Sequence, residues 1–134
     1  MENDTTHRRS KAALALLGCY ALALLVGTHL PHPPEAISAG TIDKPIHVIA
    51  YAGLAFLVSL NWRLRHAFGW RQRIMILVLI AVFGAIDEIT QIPVGRECDI
   101  IDWLADILGT VCGSLLFLAT AALLRWPALS PPHI

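Results

Sequence analysis

The chain has 134 residues and a formal net charge of +0; 56% of its residues are hydrophobic and 15% charged, and its mean hydropathy is +0.62. A soluble domain carries about 25% charged residues, and a core this small cannot absorb the apolar excess. The composition argues against an ordinary soluble domain and for an all-α integral membrane protein, and the neutral balance offers no basic surface for nucleic acid.

Residues 1–11 form a polar N-terminal segment, and the first apolar run extends from Ala12 to Leu30. Basic residues before an apolar run also describe a signal peptide. Here the run exceeds the usual 7–15 residues or so and no small-x-small cleavage site stands before Thr41, so the run reads as a retained helix. The Arg8-Arg9 pair lacks other support as a twin-arginine signal. PHPPEAISAG, at 31–40, ends the helix with three prolines and a glycine. Further runs follow from Pro45 to Trp62, from Ile74 to Ile92 and from Ile100 to Leu124, with Pro93 and Gly95 breaking the chain between the last two. Each run is close to the roughly 20 residues a helix needs to cross about 30 Å of hydrocarbon, and lipid favours helices because it offers the backbone no partners. The sequence thus predicts a four-helix transmembrane domain over 12–124 and a short tail at 125–134.

Eight of the ten lysines and arginines fall on one side of this topology: Arg8, Arg9 and Lys11 before the first run, Arg63, Arg65, Arg71 and Arg73 in the middle connection, and Arg125 at the end. Lys44 and Arg96 fall on the other. The positive-inside rule places both termini in the cytoplasm. Trp62, Trp70 and Trp126 then lie near the inner boundary and Trp103 near the outer one, as interfacial anchors. Cys19, Cys98 and Cys112 match no zinc or redox spacing; Cys19 and Cys112 read as small packing residues.

The polar residues gather at the outer ends of the helices. DEITQIPVGRECDIIDWLAD, at 87–106, holds six carboxylates in twenty residues. Asp43, His47 and Tyr51 are four apart and share one stripe, and Asp87 and Gln91 repeat the spacing. Asp99, Asp102, Asp106, Gly109 and Gly113 follow at intervals of 3, 4, 3 and 4, one face of the fourth helix. Its deeper part is a GxxxG element that lets another helix approach closely, so the acids above it point inward. Asp106 and Asp87 lie about 9 Å and 8 Å below the helix ends at 1.5 Å per residue, and carboxylates at depth are candidates for function. Some of the set have simpler readings. Asp99 and Asp102 suit the first turn of a helix, Asp43 before Pro45 suits an N-cap, and Glu97 suits a solvated loop. His47 alone reads as a packing residue and Tyr51 as a boundary aromatic. No cap explains Asp87, Glu88 or Asp106.

Asp43, Asp87, Glu88, Glu97, Asp99, Asp102 and Asp106 outnumber Lys44 and Arg96 by five charges. Packed carboxylates oppose one another's ionisation. Three outcomes are open: acid-base work with His47, a divalent cation (preferably a hard one, given the oxygen donors), or a cationic ligand. Lys44 and Arg96 could separately anchor a phosphate or carboxylate.

These motifs resemble the VanZ-like family of bacterial membrane proteins. The match is carried by D-K-x-x-H-x-x-x-Y (Asp43 to Tyr51), by D-E-x-x-Q (Asp87 to Gln91), and by Arg96 followed by Asp99, Asp102, Gly109 and Gly113. Asp106 departs from the pattern, where asparagine is expected, and this adds a charge. The resemblance implies a multi-pass protein of the bacterial cytoplasmic membrane; the name-giving member is linked to teicoplanin resistance. On this reading the chain binds an envelope ligand or lipid at its outer face and alters glycopeptide susceptibility. The alternative is an enzyme acting on a lipid-linked phosphate or envelope precursor, with Asp87 or Glu88 and His47 moving protons and Lys44 and Arg96 holding the anion. An ion transporter is weaker, because no chain of acids continues to the cytoplasmic side.

Overall fold

Four helices form where the apolar runs stand. A computed structural model describes residues 2–30, 43–96 and 98–125. The stretch 31–42, Glu97 and 126–134 with Trp126, and with them the helix-ending prolines and the tail, lie outside the described residues. Among the described residues the helices are α1 (Glu2–Thr28), α2 (Asp43–Arg63), α3 (Trp70–Gln91) and α4 (Ile100–Leu123), with a 3₁₀ turn at Ile92–Val94. All four are long and apolar enough to cross a membrane. The chain is an all-helical, multi-pass membrane protein.

The ends differ in detail from the apolar runs. α1 starts at Glu2, well before Ala12, because polar residues do not themselves stop a helix. Asp43 is the first residue of α2 and lies inside its first turn rather than before it, and Pro45 follows where a missing N–H costs nothing. Arg63, Arg71 and Arg73 belong to helices; of the middle basic group only Arg65 lies in the connection. Between α3 and α4 the chain reverses through Pro93 and Gly95, whose φ of +81° is a left-handed conformation open to glycine. Asp99 caps α4, its side chain accepting the Ile101 N–H at 2.8 Å.

The bundle is apolar outside, and inside it buries many polar residues beside an apolar cluster of Leu24, Tyr51, Leu54, Ala55, Ile76 and Ile80. Its buried residues include His47, Ser59, Asn61, Asp87, Glu88, Gln91, Asp102, Asp106 and Thr110, while leucines, isoleucines and valines are exposed along every helix. In water this would reverse the usual partition; in lipid, helices gain little from burying oil and associate through packing and hydrogen bonds. Cys19 and Cys112, expected as packing residues, are exposed on helix surfaces.

α2 is the central helix. It packs most extensively on α4, and α1 and α3 also rest against it. The α2–α4 seam depends on the GxxxG element: a side chain at Gly109 would collide with the Val48 carbonyl, and one at Gly113 with that of Ala52. A smaller apolar core lies toward the basic end, where Phe117 meets Phe56 and Phe68 edge-on at 5.6 and 5.3 Å. α1 is held by apolar contact, with Leu24 in the buried core and Leu17 and Ala21 packed against it, and by hydrogen bonds. Asn61 donates to the Ala13 carbonyl (2.9 Å), Arg65 to that of Ser10 (2.6 Å), and the Tyr20 hydroxyl to that of Ala50 (2.9 Å). Gly53 leaves room for the Tyr20 ring. Tyr20→Phe is expected to cost about 1 kcal/mol, the usual net worth of one hydrogen bond. The check is the midpoint of SDS-induced unfolding; an unshifted midpoint would show that apolar contact alone holds the middle of α1.

Candidate functional site

The end of α1, the start of α2, the end of α3 and the start of α4 meet at one end of the bundle. There the structure brings together Asp43, Lys44, His47, Tyr51, Asp87, Glu88, Gln91, Arg96, Asp99, Asp102 and Asp106 in two tiers.

The upper tier is made of ion pairs. Lys44 Nζ reaches Asp102 Oδ1 at 3.0 Å and Asp99 Oδ2 at 3.3 Å, tying α2 to α4. Arg96 Nη2 lies 3.8 Å from Asp43 Oδ1. The Ile101 N–H first, and then Lys44, hold the Asp99 carboxyl below the usual carboxylate range. Asp99 is therefore both a helix cap and an ion-pair partner, and the capping reading accounts for its place.

The lower tier is buried. His47 Nδ1 lies 2.8 Å from Asp106 Oδ1, with His47 4% and Asp106 0% exposed. Asp87 accepts from Thr28 Oγ1 at 3.0 Å and, at a longer 3.4 Å, from the Tyr51 hydroxyl and Gln91 Nε2. Glu88 accepts from Gln91 Nε2 at 3.2 Å and from the Asp99 N–H at 3.1 Å. Asp87 and Glu88 thus have their oxygens directed by neutral donors. Among the described residues, no lysine or arginine forms an ion pair with Asp87, Glu88 or Asp106. Asp106 Oδ2 is buried with no hydrogen-bond partner.

Two sets of donors are close enough to share a cation. Asp43, His47 and Asp102 form one, and His47, Glu88 and Asp106 the other; within each set the ligand atoms lie within 4.8 Å of one another.

Three contributors escaped the sequence reading. Thr28 and His29 bring α1 into the site, His29 lying 3.7 Å from Asp87 Oδ1 and 3.1 Å from the Thr90 hydroxyl. They look like ordinary polar residues at a helix end, and no periodicity links them to the acids. Gly84 makes room beneath the pair, since a Cβ there would stand 3.1 Å from Asp106 Oδ2 and 3.3 Å from the Tyr51 ring. Its position on α3, three residues before Asp87, was the available signal. Trp103, expected as a boundary anchor, donates its indole N–H to the Ala81 carbonyl at 2.9 Å and joins α4 to α3.

A cavity of about 280 Å³ runs from this cluster between α1 and α2. Ala23, Leu24, Gly27, Ile46 and Ala50 give it an apolar wall, and Thr28, Asp43, His47, Tyr51 and Arg96 a polar end. The arrangement can bind an amphiphile, hold a cation, or pass a proton between His47 and Asp106.

No curated protein and no solved structure matches the chain. One family model does, that of VanZ/LLP1, over residues 18–124. That span runs from the middle of α1 to the end of α4 and takes in both tiers of the polar cluster, and on this match the chain belongs to the VanZ/LLP1 family.

Proposed function

We propose that this VanZ-like envelope protein sits in the bacterial cytoplasmic membrane with its polar end outward. There it binds an amphiphilic envelope ligand in the α1–α2 cleft, and so alters susceptibility to teicoplanin-type glycopeptides. The cleft carries this reading, because it offers an apolar wall for a chain and charged groups for a head in one continuous space. Its apolar wall and its volume of about 280 Å³ suit part of a lipid or lipid-linked molecule seated from the membrane, and that class, rather than the antibiotic itself, is the proposed ligand. The outward orientation rests on the basic residues at the opposite end.

Gly27 is the place to test it. Gly27 lines the cleft and a Cβ there meets nothing within 4 Å, so Gly27→Phe is expected to obstruct the cleft, with circular dichroism and gel filtration checking the fold. The protein purified in mild detergent is expected to carry a defined envelope lipid by mass spectrometry, and Gly27→Phe to lose most of it. Expression in a susceptible bacterium is expected to raise teicoplanin tolerance, and Gly27→Phe to blunt the rise. An unchanged lipid profile together with unchanged tolerance would sink the reading.

The enzyme alternative draws on the His47–Asp106 pair. It loses ground because Lys44 and Arg96, the groups that would hold a phosphate, already face Asp99, Asp102 and Asp43. Turnover of a lipid-linked phosphate that disappears in Asp87→Asn and Glu88→Gln would restore it.

A further inference from the structure

We infer that His47, Glu88 and Asp106 form a divalent-cation site of the zinc type in the buried lower tier at the polar end of the bundle. The three residues come from α2, α3 and α4, all are buried, and their donor atoms lie within 4.8 Å of one another. A cluster of acids alone would not carry this. The deciding observation is Asp106 Oδ2, an oxygen of a side chain with 0% exposure that no neighbour satisfies. Buried carboxylates are normally hydrogen-bonded, paired or metal-bound. Protonating Oδ2 would remove the charge but put an unsatisfied donor in place of the unsatisfied acceptor, so the oxygen's hydrogen-bonding need would remain unmet. A cation bound by the Asp106 carboxylate would supply it a partner and offset charge that no lysine or arginine pairs with among the described residues.

The surroundings favour this set over the neighbouring Asp43, His47 and Asp102. Asp43 and Asp102 are already paired with Arg96 and Lys44. Glu88, by contrast, is oriented by Gln91 and by the Asp99 N–H, the kind of outer support that metal-ligating carboxylates have. An imidazole beside two carboxylates favours a different ion from the hard one that oxygens alone would prefer. Calcium and magnesium sites are built from oxygens, whereas an imidazole with two carboxylates suits zinc and its first-row neighbours. Three protein donors leave a coordination position for water or another ligand, as in catalytic zinc sites.

The inference is independent of the cleft reading and is tested without any lipid. The full chain in detergent is stripped with a chelator, incubated with Zn²⁺, desalted, and its metal counted by mass spectrometry. About one retained ion per chain is expected for the wild type. Asp106→Asn and His47→Gln keep size and hydrogen bonding, and each is expected to lower retention at least tenfold, with circular dichroism and gel filtration confirming the fold. Asp99→Asn, in the upper tier, is expected to retain the ion. No retained Zn²⁺ in the wild type, or equal retention in Asp106→Asn, overturns the inference. Zinc retention without lipid capture would leave this site standing and remove the cleft reading; lipid capture without zinc would do the reverse.

Discussion

Replacing His47 with alanine is expected to destabilise the folded chain by about 3–5 kcal/mol, the cost of leaving a buried charge without its partner. His47 and Asp106 are 2.8 Å apart at almost no exposure, so solvent cannot take over the role of either. The loss comes from the abandoned carboxylate rather than from the bond itself. A double substitution, His47→Leu with Asp106→Leu, should therefore recover much of it, because two apolar groups leave nothing unsatisfied. The measurement is a double-mutant cycle on SDS-induced unfolding with chelator present, so that the pair alone is read. Strict additivity of the two single losses would show that the residues do not act as a unit.

A second large effect is expected at Gly113. A Cβ at this position would run into the Ala52 carbonyl, and at Gly109 into that of Val48. A flexible side chain could swing aside, but a backbone carbonyl inside a helix cannot, so α4 must move away from α2. Overpacking costs about 1–3 kcal/mol where neighbours can yield, and Gly113→Val is placed at or above the upper end. Moving α4 would also pull Asp102 and Asp106 from Lys44 and His47, so metal retention should fall with stability. Cys112→Val supplies the control, since Cys112 is exposed on the same turn and should tolerate the change. Equal midpoints for Gly113→Val and the wild type would refute close packing at this seam.

Much of this was legible because membrane helices obey a length rule and polar residues within them stand out. The ends of α3 and α4 fall within a few residues of the apolar runs, and the 3–4 spacing from Asp99 to Gly113 marks the face that meets α2. What could not be read depends on how separate helices line up. Nothing in sequence sets Thr28 beside Asp87, fifty-nine positions away. Trp103 fits an interfacial anchor by position, and only the approach of Ala81 turns it into a link between helices. The start of α1 was missed for another reason: hydropathy reports where a helix can lie in lipid, not where it begins.

The contacts that hold α1 fall at separate heights: Ala13 bonded from Asn61, Tyr20 bonding Ala50, and Thr28 bonding Asp87. From Ala13 to Thr28 is about 22 Å along the axis. A helix fastened at one height can swivel or slip by a turn. One fastened at three can do neither without surrendering bonds at every level. The outward residues Leu14, Leu16, Leu22 and Val26 take no part in that alignment. Two chains could differ at all four and still deliver the Thr28 hydroxyl to the same carboxylate oxygen. The vertical setting of α1 is thus marked by a few polar side chains and the carbonyls they meet, together with the buried Leu24, while the outward apolar residues are free to drift.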